Sequence, residues 1–206
     1  MTASQGNDPT IILASGSAFR LALLRGAGVA VEPLAPGLDE DALKDGLRAQ
    51  GVSARDLADT LAEAKAMKVA RRVPGVLVLG SDQVLVLGDG TQLDKPQTPD
   101  EACEHLRRMS GQTHRLLSAA VFAEDARPVW RHIDTAKMTM RVLSDAFIEQ
   151  YVAAHWDDIR HCVGCYQIEG AGAQLFARVE GSHFTIIGLP LFAVLDYLRV
   201  RGNMPS

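Results

Sequence analysis

The chain alternates short apolar runs of strand length with longer segments in which apolar positions recur every three or four residues. Thr10-Ile11-Ile12-Leu13-Ala14 is a run of the first kind and reads as a buried strand, and residues 29–34 form a second before Pro36-Gly37. Between them Phe19, Leu23 and Leu24 begin a helix ending at Gly26 or Gly28, with Ser15-Gly16-Ser17 supplying the turn and a cap. The longest helical pattern covers residues 54–72, with Leu57, Leu61, Ala64 and Lys68 on one face and Lys65 a turn beyond Leu61. Residues 80–87 read as an alternating strand with an acid at its start; the turn Gly88-Asp89-Gly90 follows, and Thr91-Gln92-Leu93-Asp94-Lys95-Pro96 returns from it. Thr98-Pro99-Asp100-Glu101 opens a helix with a capping hydroxyl, a proline at the first position and acids in the first turn. That helix turns Ala102, Leu106 and Met109 inward and stops at Gly111. Residues 114–123 and 128–143 read as paired strands, Ser144-Asp145 caps a helix through residue 153, and a last helix over 191–200 is entered at Pro190.

With 206 residues and 47% hydrophobic content the chain can bury a real core. No long linker, repeat or low-complexity tract divides it, so the expectation is one domain over residues 10–206 behind a disordered leader, 1–9. The balance of 21 basic against 25 acidic residues gives a formal charge of −4, which excludes the general electrostatic footprint of a nucleic-acid polymer binder. Three cysteines, an odd number without secretory context, argue against a disulfide framework. Cys162 and Cys165 have the spacing of redox and zinc sites, but no second pair completes a set, so they read as packing. The N-terminus is polar and no apolar run approaches membrane-spanning length, so the expected location is the cytoplasm, with no membrane partner.

Rival chemistries leave no trace. There is no Gly-x-x-x-x-Gly-Lys-Ser/Thr loop and no Gly-x-Ser-x-Gly elbow, and Gly170-Ala171-Gly172-Ala173 reads as a tight turn rather than a dinucleotide fingerprint. None of the six histidines forms an His-x-x-x-His pair, and His114 and His183 read as structural. Trp130, Trp156 and the three tyrosines are too dispersed for an RNA-stacking platform.

The central segment carries the most chemistry. An acid on the strand and a lysine on the return, Asp82 and Lys95, are directed towards one mouth, where a carboxylate holds a divalent cation and accepts a proton while the lysine neutralises phosphate. By itself the segment more often means an acid used in a turn or at the surface and an ordinary ion pair. The helix start at Ser15, Ser17 and Arg20 suits an anion such as a triphosphate, and it also fits a plainly capped helix with a solvated arginine.

Several short motifs then occur in order: Leu13-Ala14-Ser15-Gly16-Ser17-Ala18-Phe19-Arg20 with Leu23-Leu24; Gly80-Ser81-Asp82-Gln83 with Lys95-Pro96; Ser110-Gly111-Gln112-Thr113-His114; Gly164-Cys165-Tyr166-Gln167-Ile168-Glu169-Gly170; Glu180-Gly181-Ser182; and Gly188-Leu189-Pro190-Leu191. Together they resemble the Maf family of nucleoside triphosphate pyrophosphatases from about Ile12 to Leu191, and motifs at consistent spacing are specific where one alone is weak. The resemblance implies an α/β fold, a mixed β-sheet flanked by helices with an active-site cleft between two lobes, of the kind found in inosine-triphosphate pyrophosphatases. It implies hydrolysis between the α- and β-phosphates with a divalent cation, Mg²⁺ or Mn²⁺, held by Glu40 and Asp82. Asp82 is also the implied proton acceptor, and Ser15, Arg20, Lys65 and Lys95 are the implied phosphate contacts, with Lys68 left on the surface.

Three positions separate the family's branches: Phe19, Gln83 and Glu169 stand where the pyrimidine-nucleotide branch has arginine, threonine and glutamine. Ser-Asp-Gln at the centre resembles the branch acting on 7-methylguanosine triphosphate. A glutamate only accepts, which suits the paired N–H donors of guanine, and a cationic methylated ring gains from a carboxylate and an aromatic face. Two departures from the family pattern are Ala18, where it has proline, and Phe19, where this branch more often has tryptophan. The alternatives are a dTTP/UTP pyrophosphatase of the same family and a non-enzymatic nucleotide-binding regulator of septum formation. The implied partner is a small nucleotide, and a homodimer is left open.

Overall fold

The computed structural model describes residues 11–205, so the expected leader over 1–9 lies outside the described residues. The fold is mixed α/β. Its seven-stranded sheet has the order β2-β1-β3-β5-β6-β7, with β4 joined to β3. The described residues group into two compact units, one of residues 11–82, 119–133 and 188–205 and the other of residues 83–118 and 134–187.

In the first unit β1 (Ile11–Ala14) lies parallel to β2 (Val31–Pro33), with Ile11 opposite Val31, and parallel to β3 (Val78–Val86), with Ala14 opposite Gly80. Parallel neighbours need crossover connections. Helix α1 (Ala18–Gly26) makes the first crossover, and α2 (Glu40–Ala49) with α3 (Ala54–Ala70) makes the second. Ser17 and Ser53 cap α1 and α3 by accepting the Arg20 and Asp56 amides.

Helix α3 buries Leu57, Ala58, Leu61, Ala62, Lys65, Ala66, Val69 and Ala70. The buried face is therefore centred on Ala62 and Lys65, with Ala64 only partly covered and Lys68 exposed, where the expected face included both. The cause is the strand underneath: a Cβ on Gly80 would fall 2.1 Å from the Ala62 carbonyl and 2.7 Å from the Ala66 nitrogen. Helix and strand meet backbone to backbone, and only the alanine face permits that approach.

Strand β3 begins at Val78, ahead of the expected start, and Asp82 sits in its middle. All of its residues but Gln83 are buried, so the alternation expected of a half-exposed strand is replaced by a continuous buried run. An interior strand between β1 and β5 has no solvent face to mark.

In the second unit β4 (Gln92–Leu93) returns antiparallel to β3, with Leu85 opposite Leu93. Helix α4 (Pro99–Met109) has Thr98 as its cap and buries Ala102, Leu106 and Met109, as its sequence pattern indicates. Strands β5 (Thr113–Glu124) and β6 (Arg127–Met140) follow, then α5 (Asp145–Ile159), capped by Ser144. Helix α5 runs past residue 153 because Ile159 continues the buried series of Ile148, Tyr151 and Val152. Gly170 leads into a 3₁₀ turn over Ala171–Leu175, then come β7 (Phe176–Glu180) and α6 (His183–Ile187). This unit's core gathers Leu85, Leu106, Met138, Ile148, Cys165 and Tyr166. Helix α7 (Leu191–Arg201), entered at Pro190, returns to the first unit. Among the described residues no helix is long and apolar enough to cross a membrane.

Candidate active site

In the first unit, elements far apart in sequence bring their polar side chains together. Asp82 comes from the middle of β3, Lys65 from the buried face of α3, and Glu40 from the first turn of α2. The Lys65 ammonium stands 2.6 Å from Asp82 Oδ1 and 2.7 Å from Glu40 Oε2. Lys65 is 4% exposed and Asp82 6%. Asp82 Oδ2 is buried with no hydrogen-bond partner.

Burying ions is costly even when they are paired, so such a cluster is weak as a stability device and points to function. Asp39 caps α2 by accepting the Ala42 amide at 3.1 Å, which holds Glu40 in the helix's first turn. Lys68 donates to the Gly37 carbonyl and Arg72 to that of Ala35 at 3.1 Å, tying down the loop ahead of α2. The two lysines of α3 thus differ in setting, Lys65 buried beside Asp82 and Lys68 exposed.

The β1–α1 junction stands beside this cluster. Ser15 is buried, and its hydroxyl accepts the Ser17 amide at 3.1 Å. Arg20 donates from Nε to the Gly188 carbonyl at 2.8 Å and from Nη1 to the Ser81 carbonyl at 3.0 Å, with the Ser15 hydroxyl at 3.5 Å. Desolvation lowers the Arg20 pKa, against the opposing pull of Asp82 and Glu40. An arginine remains charged under such conditions. Much of its donor fork is spent on the protein's own carbonyls, so Arg20 braces the first motif against Ser81 and Gly188 more than it presents a free fork.

Sequence reasoning gave Gly188 no role, although its motif was visible. Its φ of +120° and a would-be Cβ 3.4 Å from Arg20 Nη2 explain the glycine. Phe19, half-buried, precedes Arg20 on α1.

In the second unit Gln83 is committed inward. Its Nε2 donates to Ser118 Oγ at 3.0 Å, the Thr185 carbonyl at 2.9 Å and the Ile186 carbonyl at 3.0 Å. Ser118 Oγ donates to the Thr185 carbonyl at 2.8 Å, and Thr185 Oγ1 to Asp134 Oδ2 at 2.6 Å. A primary amide has two N–H donors, and these acceptors occupy them. Gln83 therefore ties β3 to α6 through its amide nitrogen. The partners responsible are 35 to 103 residues away and leave no local signal.

Lys95 and Glu169 are exposed in this same unit, and the Cys162 thiol experiences the charge of both. Burial is the main cause that pushes Cys162 up to about 11, and it pushes Cys165 up further. Thiols held protonated in this way are poor nucleophiles, in keeping with a packing role. His114 is fully buried, its Nε2 lies 2.8 Å from the Tyr166 hydroxyl, and desolvation lowers its pKa to about 4. It is a neutral structural residue. Among the described residues no group of three or more His, Cys, Asp or Glu side chains converges as a metal site.

The sheet order, the carboxylate–lysine cluster on β3, α3 and α2, and the serine–arginine junction define the setting in which the comparisons with known proteins fall. The chain belongs to the Maf family, whose sequence model, described as Maf-like protein, matches residues 10–201. A nucleoside triphosphate pyrophosphatase of Sphingopyxis alaskensis is 57% identical over 96% of this chain and 100% of its own length. A protein of the same name from a Ruegeria species is 48% identical over 93% of this chain and 96% of its own. A 7-methyl-GTP pyrophosphatase of Rhizobium meliloti is 50% identical over 96% of this chain and 99% of its own.

Proposed function

We propose that this protein is an enzyme that hydrolyses a nucleoside triphosphate between the α- and β-phosphates, releasing the nucleoside monophosphate and pyrophosphate. The observation that carries the proposal is the buried Lys65–Asp82 pair, joined by the partly exposed Glu40, with Asp82 Oδ2 left unpaired. The names of the full-length relatives support it.

Phosphoryl transfer asks for little covalent chemistry from a protein. It needs water in line with the scissile bond and charge compensation on the phosphoryl oxygens. Lys65 fixes the Asp82 carboxylate through Oδ1, so Oδ2 accepts the proton of the attacking water. Oxygen adds to the α-phosphorus, the Pα–O bond to the β-phosphate breaks, and the leaving pyrophosphate takes the bonding electrons. The Lys65 ammonium has three N–H donors and the carboxylates engage two, which leaves one for a phosphate oxygen. Ser15 and the remaining Arg20 donors support the phosphates at the start of α1. For Lys95 and Glu169 the family resemblance supplies the roles, phosphate contact and base contact.

The residues also fit a divalent cation, Mg²⁺ or Mn²⁺. Glu40 and Asp82 offer hard oxygen donors, and Asp82 Oδ2 faces no protein donor. One or two carboxylates completed by substrate phosphate is how Mg²⁺ is commonly held, without a dedicated cage. When bound, the ion would polarise a phosphoryl oxygen and offset its charge.

The substrate we propose is 7-methyl-GTP. The Rhizobium meliloti relative bears that name, and Glu169, an acceptor-only carboxylate, suits guanine's N–H donors and the cationic ring. The test is a panel of 7-methyl-GTP, GTP, UTP and dTTP with Mg²⁺ or Mn²⁺, read for pyrophosphate and orthophosphate. The expected result is pyrophosphate and monophosphate in equal amounts, fastest from 7-methyl-GTP and abolished by a chelator. Diphosphate with orthophosphate would overturn the reaction, and binding without steady-state release would leave the regulatory alternative.

A further inference from the structure

Within the second unit, Lys95 lies in the segment between β4 and α4, in neither strand nor helix, so no regular ladder of hydrogen bonds fixes its main chain. Buried Pro96, flanked by exposed Lys95 and Gln97, has no N–H to contribute. The other main-chain polar groups of such a segment need side chains or water as partners. Two of them have side-chain partners. The Gln97 amide donates to Glu101 Oε2 at 2.7 Å, and Gln97 Nε2 donates to the Lys95 carbonyl at 3.2 Å. The contacts run in series from α4 back to Lys95.

Glu101 occupies the third position of α4, and its own amide donates to Thr98 Oγ1 at 3.1 Å. In a capping box the acid at this position returns to the amide of the capping residue itself. Here it reaches one residue further back, to Gln97. A bond of 2.7 Å from an amide to a carboxylate is charge-assisted and stronger than its neutral counterpart. The start of α4 does not need it, because Thr98 already caps the helix and Pro99 has no amide to satisfy. His105 Nε2 lies 3.7 Å from Glu101 Oε1, beyond a hydrogen bond, and its Nδ1 lies 3.7 Å from the buried Cys165 thiol. Desolvation lowers the His105 pKa, which favours the neutral ring, so the carboxylate's principal engagement is with Gln97.

We infer that Glu101 is a positioning residue for Lys95, holding the main chain of residues 95–97 through Gln97 so that the ammonium works from a fixed base. The inference rests on the phosphate contact proposed above for Lys95. A lysine head sits on a flexible four-carbon stem, and a main chain free to move as well adds to the ordering cost of binding phosphate.

The experiment is a double-mutant cycle of Glu101→Ala and Lys95→Ala, each variant confirmed as folded by circular dichroism, with Glu101→Gln and Thr98→Ala alongside. Glu101→Gln takes its place in the cycle if the alanine variant does not fold. Two quantities are read: kcat/KM for each triphosphate cleaved, and calorimetric affinity for the α,β-methylene analogues of 7-methyl-GTP and UTP. Losing a hydrogen bond to a charged group predicts both to fall about tenfold in Glu101→Ala, equally for the two bases. Glu101→Gln, whose amide oxygen still accepts, should recover part of the loss. In the Lys95→Ala background, Glu101→Ala should add nothing. Thr98→Ala should lower the urea midpoint through its lost cap and leave both quantities at their wild-type values. Losses that add in full for Glu101→Ala and Lys95→Ala overturn the positioning role, and so does a Thr98→Ala variant as impaired as Glu101→Ala. A wild type that binds the analogues yet releases no pyrophosphate overturns the hydrolysis, and the affinity cycle still decides the role of Glu101.

Discussion

Asp82 uses its two oxygens differently: Oδ1 accepts from Lys65, and Oδ2 is buried with no hydrogen-bond partner. Replacing it with asparagine preserves the shape and removes the proposed proton acceptor. We expect Asp82→Asn to lower kcat by about a hundred- to ten-thousandfold, with circular dichroism showing a native fold. Near-normal turnover in the folded variant would refute the role of Asp82. With the base contact proposed for Glu169, Glu169→Gln turns one acceptor into a donor facing a donor, so its kcat/KM for 7-methyl-GTP should fall about ten- to a hundredfold relative to UTP. Gln83→Ala removes a tie between β3 and α6, so it should lower stability and reduce every substrate alike. Competition assays with mixed triphosphates distinguish the two patterns. A base-selective effect of Gln83→Ala would restore the contact that the sequence suggests. The residues alone did not indicate that Lys65 pairs with Asp82, nor that the Gln83 amide donates to carbonyls of α6, because an amide reads the same whatever accepts from it.

At the scale of elements, the site depends on how closely α3 lies on β3. Gly80 has no Cβ, and its strand faces Ala62 and Ala66 with no space for one. Gly80→Ala should push α3 outward, lower stability by about 3 kcal/mol and break the Lys65–Asp82 register with it. Denaturant unfolding and turnover measured on one preparation check both losses, and a stable, fully active variant would show that the contact is dispensable. The helix starts were legible because a serine or threonine cap acts over three residues, as at Ser17, Thr98 and Ser144. The buried face of α3 was not, since alanines carry little hydrophobic signal and only the glycine on the opposing strand selects the face that packs. Strand β3 lost its expected alternation for a similar reason, its neighbours in the sheet being non-local.

Over the whole molecule, stability should depend on pH through His114, whose folded pKa falls from 6.5 to about 4 by desolvation. Above the unfolded value both states are neutral and the residue contributes no slope. Below it the unfolded chain takes up the proton first, so stability declines as pH falls from 6.5 towards about 4, by roughly 3 kcal/mol in all. His114→Phe should flatten that part of the urea-midpoint profile between those limits, and an unchanged slope would mean that His114 is not its source. The sequence by itself determined what acts over a few residues or is carried by composition: the caps, most strand and helix positions, the absence of a polymer-binding charge, and the ordered motifs of the Maf family. The tertiary structure decided which groups meet. Lys65 reaches Asp82 across 17 positions and Arg20 reaches Gly188 across 168, so each residue's role depends on partners that no local pattern specifies. The reason is physical: propensity and capping are short-range, whereas burial, close helix–strand approach and the sharing of hydrogen-bond donors exist only once distant segments pack together.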